Sequence, residues 1–414
     1  MDVKLGRKVP ADQSKVIWPL DGLTKGCYYT VSKILKKRVH MPLYLLFLGA
    51  IFTSCGQVSE TQITPPPFQL LDVVELDSRG EGIIETKPMP SQGFLQFRFS
   101  RPGGLSSDPL SEQCVQLIRL ETPEGLFLDR SSVEEFGSIC KNCQQRSEAF
   151  HSGGSWVYPN NGDRAKEGEV LTIKLSLWDC DYRQPLAATL LRGITSRAVK
   201  VETRFVEESQ ETLELPVTVF FTNEASRQSR DNLQEYMEAV VDYWYKTAGI
   251  LVKWKLSPEV VRQPSELELS QKLNTIVGHG NLPLVFAGCF YQKPLPGRAS
   301  SDPLGFTHRI PGGYAGSEND LVMIKTRECA FGKIASNLPP DVTSRIINHE
   351  LGHYLGLYHS QEETGATHHL KDGEASKNLM YFNPLHSKGG QHLSESQKIV
   401  VRSHPYLKIA KGTD

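Results

Sequence analysis

The stretch His349-Glu350-Leu351-Gly352-His353-Tyr354-Leu355-Gly356-Leu357-Tyr358-His359 constrains this chain more than any other. An α-helix advances about 3.6 residues per turn, so His349 and His353 leave one face a turn apart and can aim both imidazoles at one ion. Glu350 stands beside the first of them, angled away from coordination but within reach of a water at that ion, which is the placement of a general base. Gly356 permits a positive φ, which ends the helix and lets the chain return with His359 as a third ligand. Three protein ligands leave a fourth position open, the mark of a catalytic site and not a structural one, and a single zinc ion is the expected cofactor.

This spacing resembles the HExxHxxGxxH signature of the metzincin clan of zinc endopeptidases, in which a methionine-containing turn follows downstream. Asn378-Leu379-Met380-Tyr381 is the matching segment. The resemblance implies that Met380 forms an apolar floor under the ligands, and that the substrate is a protein or peptide. It also implies that Glu350 takes a proton from the attacking water and passes it to the leaving amine. Tyr381 is singled out as a pocket or transition-state residue, because a tyrosine near this turn serves some members. Within the clan, His359-Ser360 and Leu379-Met380-Tyr381 look most like matrixins, although the interval from His359 to Met380 is longer than theirs and no cysteine-switch segment is visible. Gly312-Gly313-Tyr314-Ala315-Gly316 fits the place where the clan runs an antiparallel edge strand beside the cleft. Gly313, Tyr314 and Ala315 are therefore substrate-binding candidates, with a glycine-rich loop of no substrate role as the alternative.

A chain of 414 residues is longer than one hydrophobic core usually serves, and two or three domains are expected. The formal net charge of -1 hides an asymmetry: the first 54 residues hold 9 Lys+Arg against 3 Asp+Glu, and the remainder 37 against 44. A mildly acidic body gives no reason to expect nucleic-acid binding. Lys33, Lys36, Lys37 and Arg38 precede an apolar run from Leu43 to Phe52, so residues 1–54 read as an export signal, with 31–54 forming one of ordinary length. Thr53-Ser54-Cys55-Gly56 resembles a bacterial lipobox, with Phe52 where leucine is usual. That resemblance implies lipidation of Cys55 and a membrane-anchored lipoprotein at the cell surface or outer membrane; a cleaved signal and a fully secreted protein is the alternative. Residues 55–67, ending in three prolines, read as a tether. Beyond Cys55 six cysteines remain, an even number that favours disulfides in an exported chain, and Cys289 with Cys329 is the expected pair in the C-terminal half.

From 68 to 212 apolar and polar residues alternate, as in Gly93-Phe94-Leu95-Gln96-Phe97-Arg98-Phe99 and Leu171-Thr172-Ile173-Lys174-Leu175-Ser176-Leu177-Trp178, which predicts an all-β sandwich. Residues 130–163, rich in Ser, Gly, Asn and Cys, read as a long disulfide-held loop. From 213 to 414 the pattern changes. A strand at 215–221 leads to Asn223 or Ser226 as a helix cap, then Leu233, Met237, Val240, Val241 and Trp244 recur at helical spacing up to Gly249. Strands are expected at 250–256, 282–287 and 320–325. Asp341 or Thr343 is placed to cap the ligand-bearing helix, and Ser394 a last helix reaching to about residue 403. His368 and His369 read as exposed loop residues, with a fourth ligand or second metal as the alternative. The expected architecture is a β-sandwich followed by an α/β (α+β) metzincin-like catalytic domain with a mixed sheet and an active-site helix. The competing functional class is a surface adhesin that attaches through its β domain.

Overall fold

The computed structural model describes residues 67–100, 113–129, 150–151, 155–179, 184–185, 197–262, 281–289, 303–307, 310, 321–330, 333–361, 370, 375–384 and 391–410. The export segment, Cys55, Gly313, Tyr314, Ala315, His368 and His369 lie outside these residues.

The first half is built from β1 (Gln69–Glu75), β2 (Glu81–Glu85), β3 (Phe94–Ser100), β4 (Gln113–Thr122), β5 (Gly125–Asp129), β6 (Phe150–His151), β7 (Ser155–Tyr158), β8 (Thr172–Asp179), β9 (Gln184–Pro185) and β10 (Ala198–Val206). They form two sheets, ordered β1-β10-β3-β7 and β2-β8-β4-β5, with β6 paired to β4 and β9 to β8. Every pairing is antiparallel. The two sheets bury one apolar cluster between them, to which β3 gives Leu95, Phe97 and Phe99 and β8 gives Ile173, Leu175 and Leu177. Alternating side chains on each strand face this cluster, which is how a two-layer β structure covers its core. The reading of 130–163 as one loop needs correction, because β6 pairs with β4 inside it and a further strand lies near its end. Strand β7 pairs with β3 there and sets Trp156 and Tyr158 into the core, the Trp156 ring 5.7 Å from Phe97. Four residues are too few for a period to show through Ser- and Gly-rich flanks.

The second half comprises β11 (Leu213–Thr222), α1 (Arg227–Asp231), α2 (Leu233–Ala248), β12 (Ile250–Val261), β13 (Leu282–Ala287), β14 (Gly305–Thr307), β15 (Val322–Lys325), β16 (Arg327–Ala330), β17 (Lys333–Asn337), α3 (Pro340–Tyr354), α4 (Glu395–Arg402) and β18 (Lys408–Ile409). Its main sheet runs β12-β11-β13-β15-β14, with β18 added to β11. The first four strands are mutually parallel, and β14 is antiparallel to β15. One apolar cluster joins this sheet to α2, α3 and α4, and a smaller one lies around Phe220, Val285 and Met323. No helix among the described residues is long and apolar enough to cross a membrane.

Local chemistry explains the helix ends. Ser226 accepts from the Ser229 backbone N–H and caps α1, the short helix that precedes α2. Helix α2 buries Leu233, Tyr236, Met237, Val240, Trp244 and Ala248 and stops at Gly249, φ 64°. Val241, read as part of the buried stripe, is only partly buried. Neither Asp341 nor Thr343 caps α3. Its N-cap is Pro339, which has no side-chain cap bond, and Pro340 takes the first helical position, where a missing N–H costs nothing. The Thr343 hydroxyl instead donates back to the Pro339 carbonyl at 3.0 Å. Ser394 and Gln397 form a complete capping box on α4.

The two halves touch through named polar contacts. Gln96 of β3 donates to the Ser403 carbonyl at 2.9 Å, and Arg204 of β10 donates to the Pro405 carbonyl at 2.8 Å. Arg402, at the end of α4, donates to the carbonyls of Ala248, Ser209 and Glu211. Its guanidinium thereby joins the end of α2 to the segment that links the halves.

Candidate metal centre

Helix α3 carries His349, Glu350 and His353 in its last two turns, all buried. The Leu355 N–H closes on Leu351 and the Gly356 N–H on His353, both at 2.9 Å. Gly356 then takes φ 103°, a value that side chains other than glycine's rarely tolerate. The chain reverses there and His359 comes back over the helix end. The ligand nitrogens of His349, His353 and His359 lie within 4.8 Å of one another. The Nε2 atoms of His353 and His359 are 3.2 Å apart.

The remaining ring nitrogens of the two helical histidines are already committed. Nδ1 of His349 is 2.8 Å from the Leu379 carbonyl, and Nδ1 of His353 is 2.7 Å from the Leu357 carbonyl. A carbonyl oxygen can only accept, so each Nδ1 carries the hydrogen and each Nε2 keeps a lone pair for an ion. Such outer contacts set tautomer and ring orientation in metal sites. A nitrogen-only set of three donors converging at this spacing fits a divalent metal ion.

Glu350 lies beside this cluster. The Thr307 hydroxyl is 2.7 Å from its Oε2 and 2.8 Å from its backbone carbonyl, and can donate its single proton to one of them at a time. Strand β14 presses so closely that a Cβ on Gly305 would sit 2.5–2.8 Å from the Glu350 side chain. Burial pushes the Glu350 carboxyl up to about 8, and the Thr307 hydroxyl pulls the other way. A cation on the three imidazoles would favour the ionised form further. Gly305–Thr307 pairs antiparallel with the strand at Val322–Lys325, and the edge strand expected at 312–316 lies outside the described residues.

Met380 is fully buried, and a Cβ on Gly352 would meet its Sδ at 2.5 Å, so glycine between the two helical histidines makes room for the thioether. The turn around Met380 is clamped from α4. Asn378 and Gln397 exchange two amide hydrogen bonds at 2.8 and 3.1 Å, and the Met380 N–H donates to Asn378 Oδ1 at 2.8 Å. The Ser360 N–H, next to His359, donates to the Met380 carbonyl at 2.8 Å. Tyr381 is half-buried with its ring 4.7 Å from that of Phe382. Cys289 is disulfide-bonded, and the Cys329 side chain lies outside the described residues.

Sequence reading missed Thr307 and Gly305, and it placed Asn378 in the methionine turn and Gln397 in the capping segment of the last helix without the bonds that join them. Only Gln397 carried a signal, as the third residue after Ser394 in a capping box.

No protein-family model matches this chain, and no curated protein matches it. Among solved structures it is similar to metalloproteinase-II from Bacteroides fragilis, at 13% identity and a TM-score of 0.32, over 49% of this chain and 62% of that one. The chain therefore spans less than two thirds of that structure's length.

Proposed function

We propose that the chain is an exported zinc-dependent endopeptidase. The observation that carries this reading is the convergence of three imidazole nitrogens beside a buried carboxyl, with Nδ1 of His349 and of His353 held by carbonyls. Tetrahedral zinc with Zn–N distances of about 2.0–2.1 Å separates neighbouring ligand nitrogens by roughly 3.3 Å. The His353–His359 spacing of 3.2 Å fits that requirement. When bound, the ion would supply the Lewis acidity that polarises the scissile carbonyl and acidifies the attacking water.

The chain's own residues do the rest. His349, His353 and His359 hold the ion, and Met380 backs the helix that carries two of them. Glu350 accepts the water's proton at its carboxylate and returns it to the leaving amine, so it ends the cycle ionised as it began. Thr307 orients that carboxylate. The outer edge of β14, beyond which no strand is paired among the described residues, offers backbone N–H and C=O groups to an extended peptide. Lipidation at Cys55, with anchoring at the outer membrane or cell surface, and pairing of Cys289 with Cys329 complete the reading. So does a division into a sandwich at 68–212 and a catalytic domain at 213–414.

The test is cleavage of a casein-type substrate by residues 56–414, wild type beside Glu350→Gln, with zinc measured in both. One equivalent of zinc in each and a fall in kcat/KM of roughly 10²–10⁴-fold in the variant is expected for loss of the general base. Undiminished cleavage by the variant would refute the assignment.

A further inference from the structure

The sandwich reads from sequence as a β domain with at most an adhesive role, yet one of its side chains reaches the metal centre. Asn160, two residues past β7, donates from Nδ2 to the Gly356 carbonyl at 3.1 Å, and the residue is buried. The bond joins residues 196 positions apart. Gly356 is the point at which the ligand-bearing chain reverses, three residues before His359.

Further along, the Tyr358 hydroxyl donates to the Ile310 carbonyl at 2.9 Å and the Ser360 N–H to the Met380 carbonyl at 2.8 Å, and the start of the turn is held from within the ligand segment itself. The Gly356 N–H closes on His353, the Leu357 N–H closes on Gly352, and the Leu357 carbonyl receives Nδ1 of His353. These fix the start of the reversal. The Leu357 N–H shares its planar peptide unit with the Gly356 carbonyl, so its bond to Gly352 holds that plane from one side, at a glycine whose missing side chain leaves the broadest choice of φ and ψ. A rotation at that plane swings everything after it, beginning with the third ligand. The Asn160 amide holds the same plane at its other end, through the carbonyl, and does so from the sandwich. The loop that carries Asn160 is itself held: Asn161 and Asp163 exchange bonds at 3.1 and 3.0 Å, and Gly162 lies so close to Ser396 that an added Cβ would be 2.4 Å from the Ser396 Cβ.

We infer that Asn160 is a positioning residue for the third metal ligand, so that the sandwich is a working part of the metal centre. The inference rests on the metal-site reading above. It assigns Asn160 no contact with substrate or ion.

The experiment measures zinc affinity of residues 56–414 by competition with a chelating dye, for wild type, Asn160→Ala, Asn160→Asp and Leu175→Ala. Asn160→Ala cannot donate to Gly356, nor can the ionised carboxylate of Asn160→Asp, and at pH 8 both should bind zinc at least tenfold more weakly, the usual scale for loss of an outer-shell partner. Leu175 lies deep in the sandwich core, so Leu175→Ala lowers stability without touching the turn and should keep wild-type affinity. In metal-free protein, amide hydrogen exchange at 357–359 should quicken in Asn160→Ala and not in Leu175→Ala. Asn160→Ala within twofold of wild type would overturn the inference, as would equal weakening by Leu175→Ala. A wild type that binds no zinc would overturn the metal site itself, which is a different result from a variant that matches a zinc-binding wild type.

Discussion

Strand β8 of the sandwich buries Ile173, Leu175 and Leu177, with the small Ser176 also covered, and leaves Thr172 and Lys174 half-exposed, whereas β13 of the mixed sheet buries all six of its residues. The difference follows from what covers each sheet. A sandwich layer meets its partner on one face and solvent on the other, so its strands alternate. The parallel strands β11, β13 and β15 have an apolar cluster on each face, and alternation disappears. The two regions also treat charge differently. Lys174 and Lys200 of the sandwich pair with Glu81 and Glu202 at 2.9 and 2.8 Å and remain partly in water. Lys325, at the end of β15, is fully buried, and burial alone draws its ammonium down to about 8. A sheet packed on both sides makes a firmer platform for α3, and each polar group inside it weighs more.

The comparison is sharpened most by paired core truncations. Leu175→Ala and Leu284→Ala should each cost about 2–5 kcal/mol in urea unfolding. Leu284 belongs to the same cluster as Ile346, Ile347 and Leu351 of the ligand helix, so only its truncation should also weaken zinc binding severalfold. Equal losses of metal affinity in the two variants would break the distinction between the regions.

Next in size is the effect of the buried lysine. Its folded pKa lies below the unfolded value of 10.5, so between about pH 8 and 10.5 the unfolded chain binds more protons and stability rises with pH. The slope for one proton is at most about 1.4 kcal/mol per pH unit. Lys325→Met should flatten that rise, while Lys174→Met should leave it intact. Unfolding midpoints across this range decide the matter, and an unchanged rise in Lys325→Met would place the titrating group elsewhere.

The smallest effect concerns Thr307. Its hydroxyl stabilises the ionised form of Glu350, so Thr307→Val should raise the carboxyl pKa and move the acid limb of the kcat/KM profile to higher pH. A fall of about tenfold near neutrality matches the loss of one hydrogen bond to a charged group. Thr307→Ser should restore the profile, and a limb that stays in place in the valine variant would remove Thr307 from its orienting role.

What could be read from sequence had a local cause. The spacing of His349 and His353 sets a helical face, Gly356 permits the reversal, Ser394 and Gln397 cap a helix, and alternation marks strands. Each signal sits within about one turn or one strand of the feature it reports. The unread parts join distant segments: Thr307 reaches Glu350 across 43 residues and Asn160 reaches Gly356 across 196. A three-residue edge strand and a polar loop show no period that would announce such a contact. The failed cap at Asp341 or Thr343 has a different origin, because two prolines had already set the entry to α3.

Arg402 ties the carbonyls of Ser209 and Glu211, in the segment between β10 and β11, to the end of α2. A connector whose backbone is bound at two points to a neighbouring helix has no slack to serve as a hinge. The chain thus behaves less like beads on a string than like a bolted joint, in which severing the strap between the halves leaves the bolt in place.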